Sequence, residues 1–403
     1  MVTSQPNVFI PLVQADPYPM YARLREQDPI HWSPIMESWV LTRYDDVVGV
    51  LTDTARFSAD RRSARNRFAE ELAKREQDFG PFGRTPTMLT SDPPLHTRLR
   101  KLVSKAFTPR MVEQLRPRIQ EIVDELLEQA AGSGQADIVR DLAYPLPVIV
   151  IAEMLGVPPE DRGQFKRWSD EIVASLNGPF ASEEVLKQAQ QSIQGLAEYV
   201  RGVIAERRAE PRDDLISRLI DAEEQGQILS EDEMLASIML LLVAGNETTT
   251  NLIGNGTLAL LRHPDQLQRL QGEPDLIRTA VEELLRYDSP VQTTGRVAKE
   301  DLAVAGQEVE EGQVVLTVLG AANRDPAQFE NPDELDLGRQ PNEHVSLGDG
   351  IHFCLGAPLA RAEGQIAIGA LIRRFPELRL APGNLEWGGT FILRGLKSLP
   401  VAL

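Results

Sequence analysis

The chain has 403 residues, of which 42% are hydrophobic and 25% charged, and its formal net charge at pH 7 is −18. The hydrophobic content is sufficient for a large buried core. The acidic balance argues against nucleic-acid binding, because phosphate contacts require a clustered positive face. The N-terminus lacks a signal-peptide pattern, and the apolar runs Leu142–Val157 and Met234–Val243 are interrupted or too short to span a membrane. We therefore expect a cytoplasmic protein that makes no use of a membrane.

Helical periodicity dominates the sequence, and strand-like alternation is confined to short segments. In chain order, the predicted elements are a strand region at Ile30–Leu41, helices at Met111–Ala131, Leu186–Ile204, Glu231–Leu261 and Ile277–Leu285, and strand regions at Val297–Val304, Val309–Leu319 and Trp387–Leu393. No internal repeat, low-complexity tract or long linker divides the sequence. The pattern predicts one domain over residues 1–403, mainly α-helical with small β-sheets.

Two segments depart from this regular pattern. Residues Ser58–Thr90 are rich in charge and then in Gly, Pro and Phe, which indicates a long, partly irregular loop. The helix that follows Ser230 begins with a capping box formed by Ser230 and Glu233. A helix of this length crosses a whole domain, so we expect it to be central.

The only cysteine, Cys354, lies in a stretch that contains Gly348, Gly350 and Gly356. A buried cysteine commonly packs as a small hydrophobic residue. The glycines favour a different interpretation, because a tight glycine loop lets the backbone approach another group closely. The helix predicted after Gly356 would also direct amide groups and a positive dipole end at the sulfur, which favours a thiolate.

The run from Gly348 to Gly356 resembles the haem-binding loop of the cytochromes P-450, Phe-x-x-Gly-x-His/Arg-x-Cys-x-Gly. The one departure is Leu347, which stands where the family usually has Phe. The resemblance implies the P-450 fold, with haem b between the long central helix and the helix after the cysteine loop. It also implies that Cys354 is the axial ligand of the iron, that His352 binds a haem propionate, and that Gly356 and Ala244 contact the haem.

Further segments resemble the family in the same order along the chain. In Asp92–Arg100, the resemblance implies that His96 and Arg100 bind a propionate, and in Pro290–Arg296 that Arg296 binds the other. Without the cysteine loop, these basic residues could equally belong to a solvated face. Three residues are implied to have a structural role, because the Glu-x-x-Arg helix of the family locks with a later arginine: Glu283, Arg286 and Arg339.

The segment Ala244–Thr249 places Gly, Asn and Thr in the middle of an apolar helix, where a local distortion is plausible. Such a kink could have no chemical role. The segment also resembles the family motif Ala/Gly-Gly-x-Asp/Glu-Thr. The resemblance implies that O2 binds here and that Glu247 and Thr248 organise proton delivery.

Together these resemblances imply a haem-thiolate monooxygenase that inserts one oxygen atom of O2 into a small, largely apolar organic substrate. Electrons would come from separate proteins, a ferredoxin or flavodoxin and its NAD(P)H-dependent reductase, and the enzyme would be a monomer. By family position, the substrate pocket would be lined by uncharged residues: Met88, Leu89, Leu241, Ala244, Val291, Thr294, Phe391 and Ile392.

The segment from His96 to Arg118 carries local positive charge in an acidic chain. Glu113 is the one acidic residue among seven basic residues, which are Arg98, Arg100, Lys101, Lys105, Arg110, Arg116 and Arg118. In the family this segment lies beside the cysteine loop. We therefore expect it to attract an acidic electron donor, with Lys101, Lys105 and Arg110 as the exposed contacts.

Three other functions are compatible with parts of the sequence. A peroxygenase of the same fold would use H2O2 directly, although the intact pair Glu247 and Thr248 favours O2. A haem-binding sensor would share the cofactor but have no catalytic activity. A Cys–His hydrolase would use Cys354 as a nucleophile and would need no haem.

Overall fold

The computed structural model describes residues 16–67, 83–132, 134–175, 181–222, 226–390 and 392–403. Helices dominate these ranges, as the periodicity predicts. Their bounds are α1 (Tyr18–Gln27), α2 (Tyr44–Thr52), α3 (Leu95–Ala106), α4 (Pro109–Ala131), α5 (Pro145–Met154), α6 (Arg162–Ala174), α7 (Glu183–Ala209), α8 (Leu215–Asp221), α9 (Glu231–Arg262), α10 (Pro264–Gly272), α11 (Ile277–Tyr287), α12 (Leu319–Ala322) and α13 (Ala357–Arg374). Among the described residues, no helix combines the length and apolar character needed to cross a bilayer.

The strands are short and form small sheets. They are β1 (Ile30–Ser33), β2 (Ser38–Leu41), β3 (Phe57–Ser58), β4 (Gln135–Asp137), β5 (Thr293–Ala298), β6 (Leu302–Val304), β7 (Gln307–Val309), β8 (Val314–Val318), β9 (Arg379–Leu380), β10 (Trp387–Gly389), β11 (Arg394–Leu396) and β12 (Pro400–Ala402). The largest sheet has the order β1-β2-β8-β5-β3, in which β2 and β8 are parallel and the other neighbours antiparallel.

Helix α9 is the central element of the core. Its 32 residues begin at the capping box of Ser230 and Glu233, in which both reciprocal hydrogen bonds are present. It packs against α5, α6, α11, α13 and strand β11, and most of its side chains are buried. A helix that is apolar on nearly all sides is stable only when other elements surround it. This packing confirms the central position predicted for the helix.

The predicted elements are found with shifted boundaries. The helix predicted at Leu186–Ile204 is the middle of the longer α7, and Ile30–Leu41 folds as the antiparallel pair β1 and β2. The region Val309–Leu319 contains the end of β7, all of β8 and the first residue of α12. In the predicted loop Ser58–Thr90, the structure describes a 3-10 turn at Arg61–Ser63 and a turn around Met88, while residues 68–82 lie outside the described ranges.

Candidate functional site

Cys354 lies in a tight loop that leads into α13. Its amide donates a hydrogen bond to the carbonyl of Leu347 (2.8 Å), which closes the loop at the position where this chain departs from the family pattern. Gly350 has a φ of 64°, and a Cβ atom there would lie 3.1 Å from the carbonyl oxygen of Leu51 at the end of α2. Glycine is therefore required by both backbone conformation and space.

The thiol of Cys354 is enclosed by protein but surrounded by groups that favour its ionised form. Burial raises its pKa, whereas the amides of Gly356 and Ala357 and the charge of Arg100 act in the opposite direction. A sulfur at a helix start that receives two amide hydrogens has the surroundings of a metal-binding or reactive thiolate rather than of an inert core thiol.

Two imidazole rings lie together beside this loop. The ring of His96, on α3, and the ring of His352 have centroids 4.4 Å apart. His96 is 3% exposed, and among the described residues neither of its ring nitrogens has a hydrogen-bond partner. Burial and then the charge of Arg296 lower the pKa of His352 to about 3. The buried ring of His96 therefore needs a hydrogen-bonding group from outside the described residues.

Two arginines complete this cluster without a carboxylate partner of their own in the described part of the chain. Arg296 is buried on β5 and donates to the carbonyl of Gly295 (2.9 Å), and burial lowers its pKa to about 10. Arg100 donates to the carbonyl of Phe353 (2.5 Å). The nearby carboxylate of Asp92 is already bonded to Ser58 (2.6 Å) and Lys299 (3.2 Å).

This donor set fits a haem. The buried guanidinium of Arg296, the half-buried guanidinium of Arg100 and an unpartnered imidazole favour acidic oxygen atoms as partners, and the two propionates of a haem supply them. Cys354 lies beside the cluster, because Arg100 donates a hydrogen bond to the carbonyl of Phe353, the residue that precedes Cys354. Arg100, Arg296, His96 and His352 therefore converge as the sequence predicts, although the lowered pKa values of the two histidines make them neutral donors rather than cations.

The predicted oxygen motif lies in the middle of α9, and the helix continues through it without interruption. Thr248 donates its hydroxyl hydrogen to the carbonyl of Ala244 (2.8 Å), and Thr250 bonds in the same way to Asn246 (3.1 Å). Side-chain bonds of this kind satisfy the hydroxyls and can bend a helix without breaking it. Ala244 retains accessible surface although neighbouring residues of α9 are buried. The expected distortion is therefore limited to these side-chain bonds.

Glu247 lines a cavity beside α9 whose walls contain both polar and apolar residues. The cavity has a volume of about 250 Å³, and Tyr144, Asp170 and Asn251 are among its lining residues. Burial and then the negative charge of Asp170 raise the pKa of Glu247 to about 7, while Asn251 lowers it. A carboxyl group with this pKa can both hold and release a proton near neutral pH.

A buried and a partly exposed ion-pair network attach α11 to the segment that precedes the cysteine loop and to α13. Glu283 and Arg286, both fully buried, are paired at 2.7 Å, and Arg339 binds the same carboxylate at 3.2 Å. Glu282, the residue before Glu283 on α11, accepts two hydrogen bonds of 2.7 Å from Arg361 of α13. These contacts fix the position of α13, the helix that follows Cys354, so the residues that make them have a structural role.

The predicted pocket residues lie in different surroundings. Met88, Leu241, Val291 and Ile392 belong to or pack against one hydrophobic cluster, and Val291 forms an isolated antiparallel β-bridge with Leu393. Leu89 is 55% exposed. Thr294 is half-buried on β5, and Phe391 lies outside the described residues. The apolar members of the predicted lining thus belong to the main hydrophobic cluster, and their role as a substrate pocket stays a prediction.

The basic segment is less positive than its sequence indicates. Arg98 is paired with Glu233 of α9, and Arg118 with Glu153 of α5. These acids lie outside the segment, so the count of charges within His96–Arg118 overstates its positive charge in the folded protein. The side chains that do remain exposed are Lys101, Lys105 and Arg110.

Sequence reasoning missed two residues of the site, Tyr144 and Asp170. Both are brought to Glu247 by the packing of α5 and α6 against α9. The sequence contains no motif around either residue that distinguishes it from an ordinary surface group.

Comparison with known proteins agrees with this site. The family model "Cytochrome P-450" matches residues 33–384. The chain is similar to polyketide biosynthesis cytochrome P-450 PksS of Bacillus subtilis, with 44% identity over 96% of both chains. The crystal structure of PksS has a TM-score of 0.89 and covers 98% of this chain and 99% of its own.

Two further relatives cover nearly the whole chain. The cytochrome P-450 monooxygenase PikC of Streptomyces venezuelae is 44% identical over 96% of this chain and 91% of its own. The structure of P450BioI in complex with an acyl carrier protein carrying hexadec-9Z-enoic acid has a TM-score of 0.88 at 40% identity, with 96% of this chain and 97% of that chain covered. The chain thus belongs to the cytochrome P-450 family and is a haem-thiolate monooxygenase that uses O2 and redox partners.

Proposed function

We propose that this monooxygenase binds haem b through Cys354, with Arg100, Arg296, His96 and His352 on the propionates. The observation that carries the proposal is the convergence of a buried imidazole without a hydrogen-bond partner and two arginines without a carboxylate partner, within the described residues, beside a thiol that two amides approach. When bound, the haem supplies the activation of O2 that allows insertion of one oxygen atom into the substrate. Gly356 supports the assignment, because its missing side chain leaves the sulfur accessible.

The first test replaces the thiol. Cys354→Ser should fold, because the loop is closed by the backbone bond to Leu347, but it should lose hydroxylation and the red-shifted Soret band of the reduced CO complex. The matched control is Ser346→Ala, which also alters a serine-sized group in this segment and should keep the band. Hydroxylation by a haem-loaded Cys354→Ser enzyme would remove Cys354 from the site.

Glu247 and Thr248 are proposed to deliver protons during the reaction. Because Thr248 donates its own hydrogen to Ala244, its oxygen lone pairs are available to accept a hydrogen bond. Glu247 precedes Thr248 and has a pKa of about 7, so it can hold a proton next to Thr248. It can exchange that proton with water in the cavity that it lines. The two side chains thereby control when a proton reaches the oxygen-binding side of α9.

The substrate is proposed to be a largely apolar acyl or polyketide-derived compound. Support comes from the uncharged lining around Met88, Leu241, Val291 and Ile392, and from the names of PksS and of the acyl complex of P450BioI. In a ligand titration, long-chain acyl compounds should shift the haem from low to high spin. A shift produced only by small, strongly anionic compounds would contradict this substrate class.

The electron donor is proposed to be a small acidic ferredoxin or flavodoxin, supplied with electrons by an NAD(P)H-dependent reductase. Its docking face would comprise the exposed side chains Lys101, Lys105 and Arg110, near Phe353, which is 38% exposed in the cysteine loop. Opposite charges steer encounter between such partners.

A further inference from the structure

Two acids, rather than an acid and a base, lie together next to the oxygen motif. Glu247 on α9 and Asp170 on α6 line the same cavity of about 250 Å³. Asp170 is exposed at its outer end, whereas Glu247 is half-buried. Tyr144, which immediately precedes α5, lines the same cavity and donates its hydroxyl hydrogen to Asp170. The cavity therefore connects a solvent-exposed carboxylate with the carboxyl group of the motif.

The charged groups around this cavity come from several elements. Lys166 of α6 lies 4.1 Å from the centre of the Tyr144 ring and acts on Asp170 rather than on Glu247. Lys397, after β11, lines the cavity and lies 3.9 Å from Glu386. Within the described ranges, no salt bridge involves Glu247, so Asp170 is the charged group that acts on it most strongly.

We propose that Asp170, held by Tyr144, is a positioning residue whose negative charge favours the protonated form of Glu247 across the cavity that both carboxyl groups line. This inference rests on the proposed role of Glu247 in proton delivery.

The physical basis is repulsion between like charges in a partly desolvated space. Ionising Glu247 next to an ionised Asp170 places two negative charges around one cavity, which costs more than ionising either alone. Accordingly, burial and then Asp170 raise the pKa of Glu247 to about 7. Tyr144 and Lys166 favour the ionised form of Asp170, which offsets part of the effect of its own burial. A proton donor works best when its pKa is close to the working pH.

The test is an infrared titration of the haem-loaded resting enzyme. The band of the protonated Glu247 carboxyl is identified as the one that Glu247→Gln removes, and in the wild type it should disappear with a midpoint near pH 7. In Asp170→Asn the midpoint should fall by roughly half a pH unit or more, because a like charge has been removed. The alkaline limb of turnover should move in the same direction.

Two further variants separate this electrostatic effect from general damage to α6. Tyr144→Phe should lower the midpoint by less than Asp170→Asn, because Asp170 loses a hydrogen bond that favours its ionised form. Glu160→Gln is the matched control: Glu160 is an exposed acid in the turn before α6 that acts on neither Asp170 nor Glu247, and its replacement should leave the midpoint unchanged.

The failures of the two proposals can be distinguished. An unchanged midpoint in Asp170→Asn overturns the inference even when Glu247→Gln slows turnover. Unchanged turnover and coupling in Glu247→Gln would instead overturn the proposed role of Glu247, on which the inference rests.

Discussion

The hydroxyl groups of Thr248 and Thr250 make the same kind of backbone hydrogen bond, although only Thr248 is proposed to take part in the reaction. The hydrogen of Thr248 is bonded to Ala244 at 2.8 Å, the same arrangement that Thr250 makes with Asn246. Thr250 is buried, and its hydroxyl oxygen also lies 3.1 Å from the carbonyl of Ala143, so its one hydrogen is shared between two backbone carbonyls. Thr248 is only half-buried and follows Glu247. Thr248 therefore keeps accessible surface that the buried Thr250 lacks.

Thr248→Ala should still consume NADPH, but the product formed per NADPH should fall several-fold while H2O2 release rises. Removing the hydroxyl removes the acceptor that positions water and protons on this side of α9, so proton delivery is no longer controlled. The measurement is the ratio of product and H2O2 to NADPH consumed. Thr248→Ser, which retains the hydroxyl, should preserve most of the coupling. Equal coupling in wild type and Thr248→Ala would return Thr248 to a structural role.

At the scale of elements, the interface between α9 and α13 contains a buried acid that the proposed chemistry does not use. Glu363 is 1% exposed, and one of its carboxyl oxygens has no hydrogen-bond partner in the described residues. Burial raises its pKa to about 8, although Thr249 of α9 lies beside it and favours ionisation. Glu363 is therefore protonated in the folded protein near neutral pH.

Glu363 should make stability depend on pH in a definite direction. In the unfolded chain its carboxyl ionises near pH 4.5, whereas the folded protein holds the proton until about pH 8. Stability should therefore fall as pH rises through this window, by roughly 1.4 kcal/mol per pH unit. Glu363→Gln cannot ionise, so its stability relative to wild type should increase from pH 5 to pH 8 in urea denaturation.

The control for this titration is Glu377→Gln, which alters an exposed acid just after α13 and should give a pH-independent difference from wild type. A constant difference between Glu363→Gln and wild type over the same range would show that Glu363 ionises normally.

At the scale of the whole molecule, the net charge of −18 conceals a local basic face. Arg98 on α3 is paired with Glu233 on α9, and Arg118 on α4 with Glu153 on α5. These ion pairs stabilise the packing of α3 and α4. Three exposed basic side chains, Lys101, Lys105 and Arg110, lie on α3 and at the start of α4, and α3 contacts the cysteine loop. The field of an acidic protein would repel an acidic partner everywhere except at such a face.

Replacing Lys101, Lys105 and Arg110 together with Glu should raise the apparent Michaelis constant for an acidic ferredoxin several-fold. It should also flatten the dependence of turnover on ionic strength, because attraction between opposite charges is screened by salt. Substrate binding and peroxide-driven turnover should not change, since neither requires the donor. Reversal of three exposed basic residues elsewhere, Arg278, Arg373 and Arg379, is the charge-matched control. Unaltered donor kinetics and salt response would place docking on another face.

The sequence alone determined the features of this protein that depend on neighbouring residues. The periodicity of α4, α7 and α9 and the capping box at Ser230 are local, because each follows from hydrogen bonds within a few residues. The loop around Cys354 is also contiguous, since one short segment must hold a sulfur, two amides and a helix start together. For this reason the fold class and the family could be inferred before the structure.

Only the tertiary structure decided which distant groups meet. Asp170 reaches Glu247 because α6 packs against α9, and Glu233 neutralises Arg98 because α3 lies beside the start of α9. Neither pairing has a local signal, since a charged residue on an amphipathic helix has the same sequence pattern whether it faces solvent or a distant partner. The electrostatic properties of the site therefore depend on helix packing, which brings charges together that the linear order keeps apart.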